Sequence, residues 1–244
     1  MSIRRLFVPP DRIAGDAARL LAADLHYLRG VLRLADGAPV EVFDGEGGAY
    51  DGVLEASGLV RLGPRRDAPP PRAHVHLAFA LARGDKADLV VQKATELGVA
   101  RLSPFDAARS VVRLDAARAA DRAGRWRKIA AEAARQCGRA DVPAVDAPAP
   151  LAAVLAAAGA RVQKLVFHEG GGEPLAAALD GGAAGFLAAV GPEGGFTEGE
   201  VEAALAAGAR LVTLGPRILR FETAAIAVTA LLQHLAGDLG GRDL

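Results

Sequence analysis

The sequence contains one cysteine, one tryptophan, one methionine and two tyrosines among 244 residues. A lone Cys137 cannot close an internal disulfide, which excludes a disulfide-stapled scaffold and fits a reducing, cytoplasmic compartment. No apolar run reaches the length of a bilayer span: the alanine-rich stretch 151–160 is short and flanked by polar residues. The first ten residues carry charge but no apolar signal segment, so neither secretion nor membrane association is expected. Histidines are scattered, and Cys137 has no His or Cys partner at ligand spacing, so no metal site is expected. The nucleophile elbow Gly-x-Ser-x-Gly, the P-loop and the dinucleotide spacing Gly-x-Gly-x-x-Gly are all missing, which removes the common hydrolase, nucleotide-phosphatase and dehydrogenase readings.

What is present is a chain that is 51% apolar with zero formal net charge. That length and composition predict one large domain or two modest ones with a substantial core. The neutral total hides a local bias. From Arg101 to Arg139 there are ten basic residues against four acidic, a surplus of six. Such a region serves either as a phosphate-binding surface or as an ordinary solvated helix face.

Two textures divide the chain. The first part reads as short strands: Arg4–Val8, a helical stretch over Asp16–Leu28, a strand over Ala38–Phe43, a turn at Asp44–Gly48 and a return strand to Leu54. Together these suggest a small β-barrel. Gly63–Pro71 breaks the periodicity and reads as an extended linker, which places domains at 1–72 and 73–244. Beyond it, strands and helices alternate: a strand over His74–Ala82, helices over Lys86–Leu97 and Asp115–Cys137, and strands over Val162–Phe167, Gly185–Val190 and Ala209–Leu214. Such repetition predicts an α/β domain with a mostly parallel sheet.

Three of those strands end in glycine-bearing turns. The first is Phe167-His168-Glu169-Gly170-Gly171-Gly172. The second, Gly191-Pro192-Glu193-Gly194-Gly195-Phe196, is followed by Thr197 and Glu200, a capping box that starts a helix. The third runs from Leu214 through Gly215, Pro216, Arg217, Ile218, Leu219 and Arg220 to Phe221-Glu222-Thr223-Ala224. Ile218 and Leu219 are expected to pack inward or against a flat apolar group. Glu222 and Thr223 suit the start of the next helix, and Arg220 either faces the pocket or pairs with an acid. Converging at the carboxyl ends of parallel strands, these turns predict one pocket lined by backbone. No lysine stands beside the glycines, so the ligand is flat and not strongly phosphorylated; S-adenosylmethionine fits better than a dinucleotide.

These turns closely resemble the 16S ribosomal RNA uracil-N3 methyltransferase family of the SPOUT superfamily. The resemblance extends to Arg4–Val8, His26–Arg33, Thr95–Val99, Arg109-Ser110-Val111-Val112 and Arg125–Ile129 through Gln136–Arg139. Departures are Phe221, where Thr is more usual, and Ala108, where Glu is. The resemblance implies a knotted (trefoil) SPOUT-type parallel-sheet domain preceded by a small PUA-like RNA-binding β-barrel. It implies S-adenosylmethionine-dependent methylation of a uridine in 16S ribosomal RNA of the small subunit, by a homodimer, without a metal. The cofactor residues it implies are Phe167, His168, Glu169, Gly191, Pro192, Glu193, Gly194, Gly195, Leu214, Gly215, Ile218, Leu219, Arg220, Thr223 and Ala224. Arg220 and Glu222 would be catalytic, with Arg220 as donor or orienting group. Arg5, Arg29, Arg33, Lys86, Arg109, Arg127, Gln136 and Arg139 would contact RNA. Two alternatives stay open: methylation at another RNA position, and a non-catalytic RNA-binding assembly factor.

Overall fold

The computed structural model describes residues 3–110 and 112–240; Val111 of the Arg109–Val112 motif lies outside them. The chain forms two compact units. The first takes residues up to Pro70 together with Ala131–Val142, and the second takes Pro71–Ala130 and Pro143 onward. A single cut at residue 72 has no counterpart for the return of 131–142 to the first unit.

In the first unit, strands β1 (Arg4–Phe7), β2 (Ile13–Ala14), β3 (Ala17–Arg19), β4 (Pro39–Phe43), β5 (Gly48–Leu54) and β6 (Leu59–Asp67) make one sheet. Their order is β1-β4-β5-β6-β3-β2, a curled half-barrel. All neighbours are antiparallel except β1 and β4. Its core is made of Leu6, Val8, Leu28, Val40, Val42, Leu54 and Val60, all buried. Two expectations need correction here. Helix over Asp16–Leu28 is replaced by β3 and a short helix α1 (Ala22–Leu25) that continues as a π-helical turn. Residues 17–19 pair with Leu59–Arg61 and so satisfy their backbone in the sheet instead. The expected linker from Gly63 is also strand as far as Asp67. The register slips between Tyr50 and Gly52, so Gly63 and Pro64 sit at a bulge, where proline's missing N–H costs no ladder bond.

The return segment closes this unit. Arg5 reaches the carbonyls of Ala134, Arg135 and Arg139 at 3.1–3.3 Å, bonds Glu41, and lies 4.8 Å from the Phe43 ring centroid. Phe43 packs there with Ala134 and Ala140.

The second unit is a parallel sheet between helices. Its strands are β7 (His74–Ala80), β8 (Arg101–Asp106), β9 (Ala144–Val145), β10 (Ala149–Pro150), β11 (Val162–Phe167), β12 (Glu173–Pro174), β13 (Gly185–Val190) and β14 (Arg210–Thr213). Their order is β10-β8-β7-β13-β11-β14-β12, with β9 beside β8. Helices α2 (Lys86–Glu96), α3 (Ala116–Cys137, up to Ala130), α4 (Leu151–Ala156), α5 (Leu175–Ala178), α6 (Glu198–Ala206) and α7 (Phe221–Leu235) complete it. Every residue of β13 is buried, as a central parallel strand covered on both faces requires. Trp126 of α3 is fully buried, meets Phe79 edge-on at 5.8 Å and donates its indole N–H to Asp88 of α2 at 2.9 Å. Among the described residues no helix is long and apolar enough to cross a membrane.

Candidate cofactor pocket

Register places the site. Phe167, the last residue of β11, pairs with Val190 at the end of β13 and with Val212 near the end of β14. Three neighbouring strands therefore finish level, and the turns that follow them surround one cavity of about 170 Å³. Phe167, His168 and Glu169 line it from the first turn, and Gly191, Pro192, Glu193 and Gly195 from the second. Leu214, Gly215, Ile218 and Leu219 come from the third, and Ala224 from α7.

Local chemistry shapes each turn. Phe196 is buried and stacks on Phe105 with centroids 6.1 Å apart. A β-carbon on Gly191 would sit 2.8 Å from that ring, so only glycine lets the chain pass. Gly195 has φ +68°, and a β-carbon there would lie 2.7 Å from the Glu169 carboxylate, on a wall of the cavity. The capping box forms in full: the Thr197 amide donates to Glu200 at 2.8 Å and the Glu200 amide to Thr197 Oγ1 at 3.3 Å. Ala108 N–H adds a bond to Glu200 at 2.8 Å. Burial pushes the Glu200 carboxyl up, but the Thr197 and Ala108 amides outweigh it and hold it below the usual range. On the third turn, Thr213 Oγ1 accepts from the Gly215 amide at 3.2 Å.

Charge gathers on one side. Lys86, the first residue of α2, bonds Glu193 and lies 3.9 Å from Glu222 Oε2. That Glu222 oxygen is buried and has no hydrogen-bond partner. The Lys86 hydrogen bond and charge keep the Glu193 carboxyl below its usual pKa, with a further contribution from Arg220. Arg220 itself is exposed and caps α7 through its backbone, its carbonyl accepting from Ala224 N–H at 2.8 Å.

A model of the RNA methyltransferase domain matches residues 69–233. The ribosomal RNA small subunit methyltransferase E of Synechocystis is 33% identical over 241 residues, covering 95% of this chain and 77% of that protein. The chain belongs to the ribosomal RNA small subunit methyltransferase E family. Its Bacillus subtilis relative is 38% identical over 176 residues, 67% of this chain and 68% of that one. The methyltransferase E from Neisseria gonorrhoeae, solved bound to S-adenosyl methionine, superposes with a TM-score of 0.86 at 31% identity, covering 96% of this chain and 98% of that one. A methyltransferase from Legionella pneumophila with bound SAM gives 0.87 at 28% identity over the same shares. The curled first sheet and the parallel α/β sheet match the Neisseria member of the family.

The residues expected to bind the cofactor do not all line the cavity. Gly194, Arg220 and Thr223 do not line it, and neither does Glu222. Gly194 turns outward, its carbonyl accepting from Arg109 at 2.9 Å. Thr223 lies inside α7, whose N-cap is Arg220, so it does not cap that helix. Ile218 does not pack inward: it is 83% exposed at the lip. Val190, Phe196, Thr213, Pro216, Arg217 and Phe221 also line the cavity, although the expected cofactor set omits them. Their positions inside or beside the glycine turns are the signal that could have found them. The departure Phe221 is buried and lies 6.4 Å from Phe79, filling a core position.

The basic residues divide as well. Arg5 and Arg139 are largely buried, Arg139 bonding Asp141, and Arg29 bonds Asp36 and the Glu55 and Ala56 carbonyls. Arg127 is exposed while bonding the Val145 carbonyl at 3.1 Å. Arg33, at φ 54°, and Gln136 are exposed.

The pocket suits S-adenosylmethionine: glycine turns admit a flat group close to backbone, and Glu169 and Glu193 offer anionic oxygens to a cationic molecule.

Proposed function

We propose that this chain transfers a methyl group from S-adenosylmethionine to N3 of a uridine in small-subunit 16S ribosomal RNA. The observation that carries it is the single pocket made by three level strand ends, in a chain that aligns over nearly its full length with a cofactor-bound member of its family. The cofactor would supply an electrophilic methyl group, its S–CH3 bond breaking to leave a neutral thioether as uracil N3 gives up its proton; what this chain adds is positioning and electrostatics. Backbone of the 191–195 and 214–219 turns holds the cofactor. Arg220, exposed beside the pocket, donates to a carbonyl oxygen of the uracil as negative charge builds there. Glu222 supports the same edge from the first turn of α7. A target base within folded RNA is unstacked before it reaches the pocket.

The first unit serves RNA binding and the second catalysis. Exposed Arg33, Arg127 and Gln136 meet the RNA, with Arg29, Arg109 and Lys86 nearer their own protein partners. Exposed Leu89 of α2 and Leu231 and Leu235 of α7, two helices packed on each other, support a homodimer, to be checked by light scattering.

Methylation of small-subunit particles followed by nucleoside mass spectrometry tests the reaction. N3-methyluridine is the expected product, and any other methylated nucleoside overturns the assignment. Arg220→Ala is expected to abolish turnover while leaving cofactor affinity within about twofold; turnover like that of the parent removes Arg220 from the chemistry.

A further inference from the structure

We infer that Lys86 is a positioning residue of the cofactor pocket: its ammonium ties Glu193, on the pocket wall, to Glu222 at the start of α7. The inference rests on reading this cavity as the S-adenosylmethionine site. Sequence alone makes Lys86 a contact for RNA phosphate. In the structure its ammonium faces two carboxylates instead, bonding Glu193 and standing 3.9 Å from Glu222 Oε2. The three groups come from segments more than a hundred residues apart at their extremes: the first turn of α2, the second glycine turn and the first turn of α7.

Each partner explains the need for the other two. Glu222 Oε2 is buried and accepts no hydrogen bond, so Lys86 is the nearest cation that stabilises its charge. The Glu193 side chain is 58% exposed and free to rotate unless something holds it. Without Lys86, two carboxylates at this edge repel each other and Glu193 is released toward solvent. With Lys86 in place, Glu193 stays ionised and stays on the wall that it lines. A cationic sulfonium cofactor then meets a fixed anion. Removing Lys86 also deletes a positive charge, which by Coulomb attraction alone would tighten binding of a cation. Lys86 touches the pocket wall, so this repulsion is felt at short range; in this proposal the loss of placement outweighs it. The two effects have opposite sign, and the sign decides between them.

The test is calorimetric titration of S-adenosylmethionine into the full chain and its variants, with thermal unfolding as a check on folding. Lys86→Met is expected to weaken binding by up to about fivefold, the scale of a partly exposed ion pair. Lys86→Arg is expected to stay within about twofold of the parent. Losing the cation raises the Glu193 pKa, so the loss of affinity on acidification moves to higher pH in Lys86→Met. Glu222→Gln is expected to weaken binding in the same direction, and adding it to Lys86→Met to cost little more, because both act through one contact. RNA affinity of Lys86→Met is expected to keep the salt slope of the parent. Unchanged or tighter cofactor binding in Lys86→Met overturns the inference, as does a salt slope reduced by about one, the mark of a phosphate contact. Failure of the parent chain to bind the cofactor overturns the reading of the pocket, and this inference with it.

Discussion

His76 Nε2 lies 2.7 Å from Ser103 Oγ, at the amino ends of β7 and β8, opposite the cofactor pocket. Ser103 donates its hydroxyl proton to Asp146, which also receives two bonds of 2.8 Å from Arg101. The serine oxygen therefore accepts from His76, which fixes the neutral ring with its proton on Nε2. Burial first, and the nearby Arg101 charge second, lower the His76 pKa to about 4.

That shift has a signed consequence. The unfolded imidazole takes up a proton as pH falls below about 6.5, whereas the folded one does so only near 4. The unfolded state binds more protons between those values, so stability falls with acidification across that window, by at most about 3 kcal/mol. Urea midpoints at pH 7 and pH 4.5 should differ in the parent chain, and the difference should shrink in His76→Gln. Asp146 acts elsewhere: burial raises its carboxyl, the Arg101 and Ser103 bonds lower it further, and its contribution is lost only below the ordinary carboxylate range.

Phe79 is fully buried between Trp126 and Phe221. Phe79→Ala should lower stability by about 3–5 kcal/mol through lost burial and the cavity left behind. Trp126 is the single tryptophan, so its fluorescence during urea unfolding reports this loss directly.

Gly195→Ala should weaken cofactor binding and cost about 1–2 kcal/mol, because φ +68° disfavours any β-carbon and Glu169 occupies the space. Gly199→Ala, in helix α6 with nothing within 4 Å of the new methyl, should stabilise by about 0.5–1 kcal/mol. Thermal midpoints of the pair, with cofactor titrations, separate backbone strain from general intolerance of the region.

Arg5→Met should destabilise the first unit by about 2–4 kcal/mol, since it strips hydrogen bonds from three carbonyls and a partner from Glu41. Its effect on RNA affinity should follow the fraction folded, with an unchanged salt slope. A slope lower by about one would restore Arg5 to the RNA surface.

The parts of the fold that local rules govern were legible. β13 reads as an unbroken apolar run because both its faces are covered, and the Thr197–Glu200 capping box marked the start of α6 to the residue. Gly63-Pro64 misled because a bulge accommodates in a strand what otherwise breaks one. Residues 17–19 carry no strand pattern of their own and owe their conformation to β6. At the site, glycine spacing pointed to the turns, but direction did not follow from it: Gly194 faces Arg109, and Ile218 faces solvent. Lys86 could not be read as a pocket residue because its partners lie over a hundred positions later in the chain.

The return of Ala131–Val142 to the first unit has a consequence for how the chain is made. Sheet strands β1 to β6 are all synthesised by residue 67, yet the carbonyls that hold Arg5 and the alanines that cover Phe43 arrive only with residues 134–140. Between those strands and that segment the chain carries the first strands of the second unit and most of the long helix α3. A fragment ending near residue 70 would lack those carbonyls and alanines, and is expected to be less stable than the same unit in the full chain.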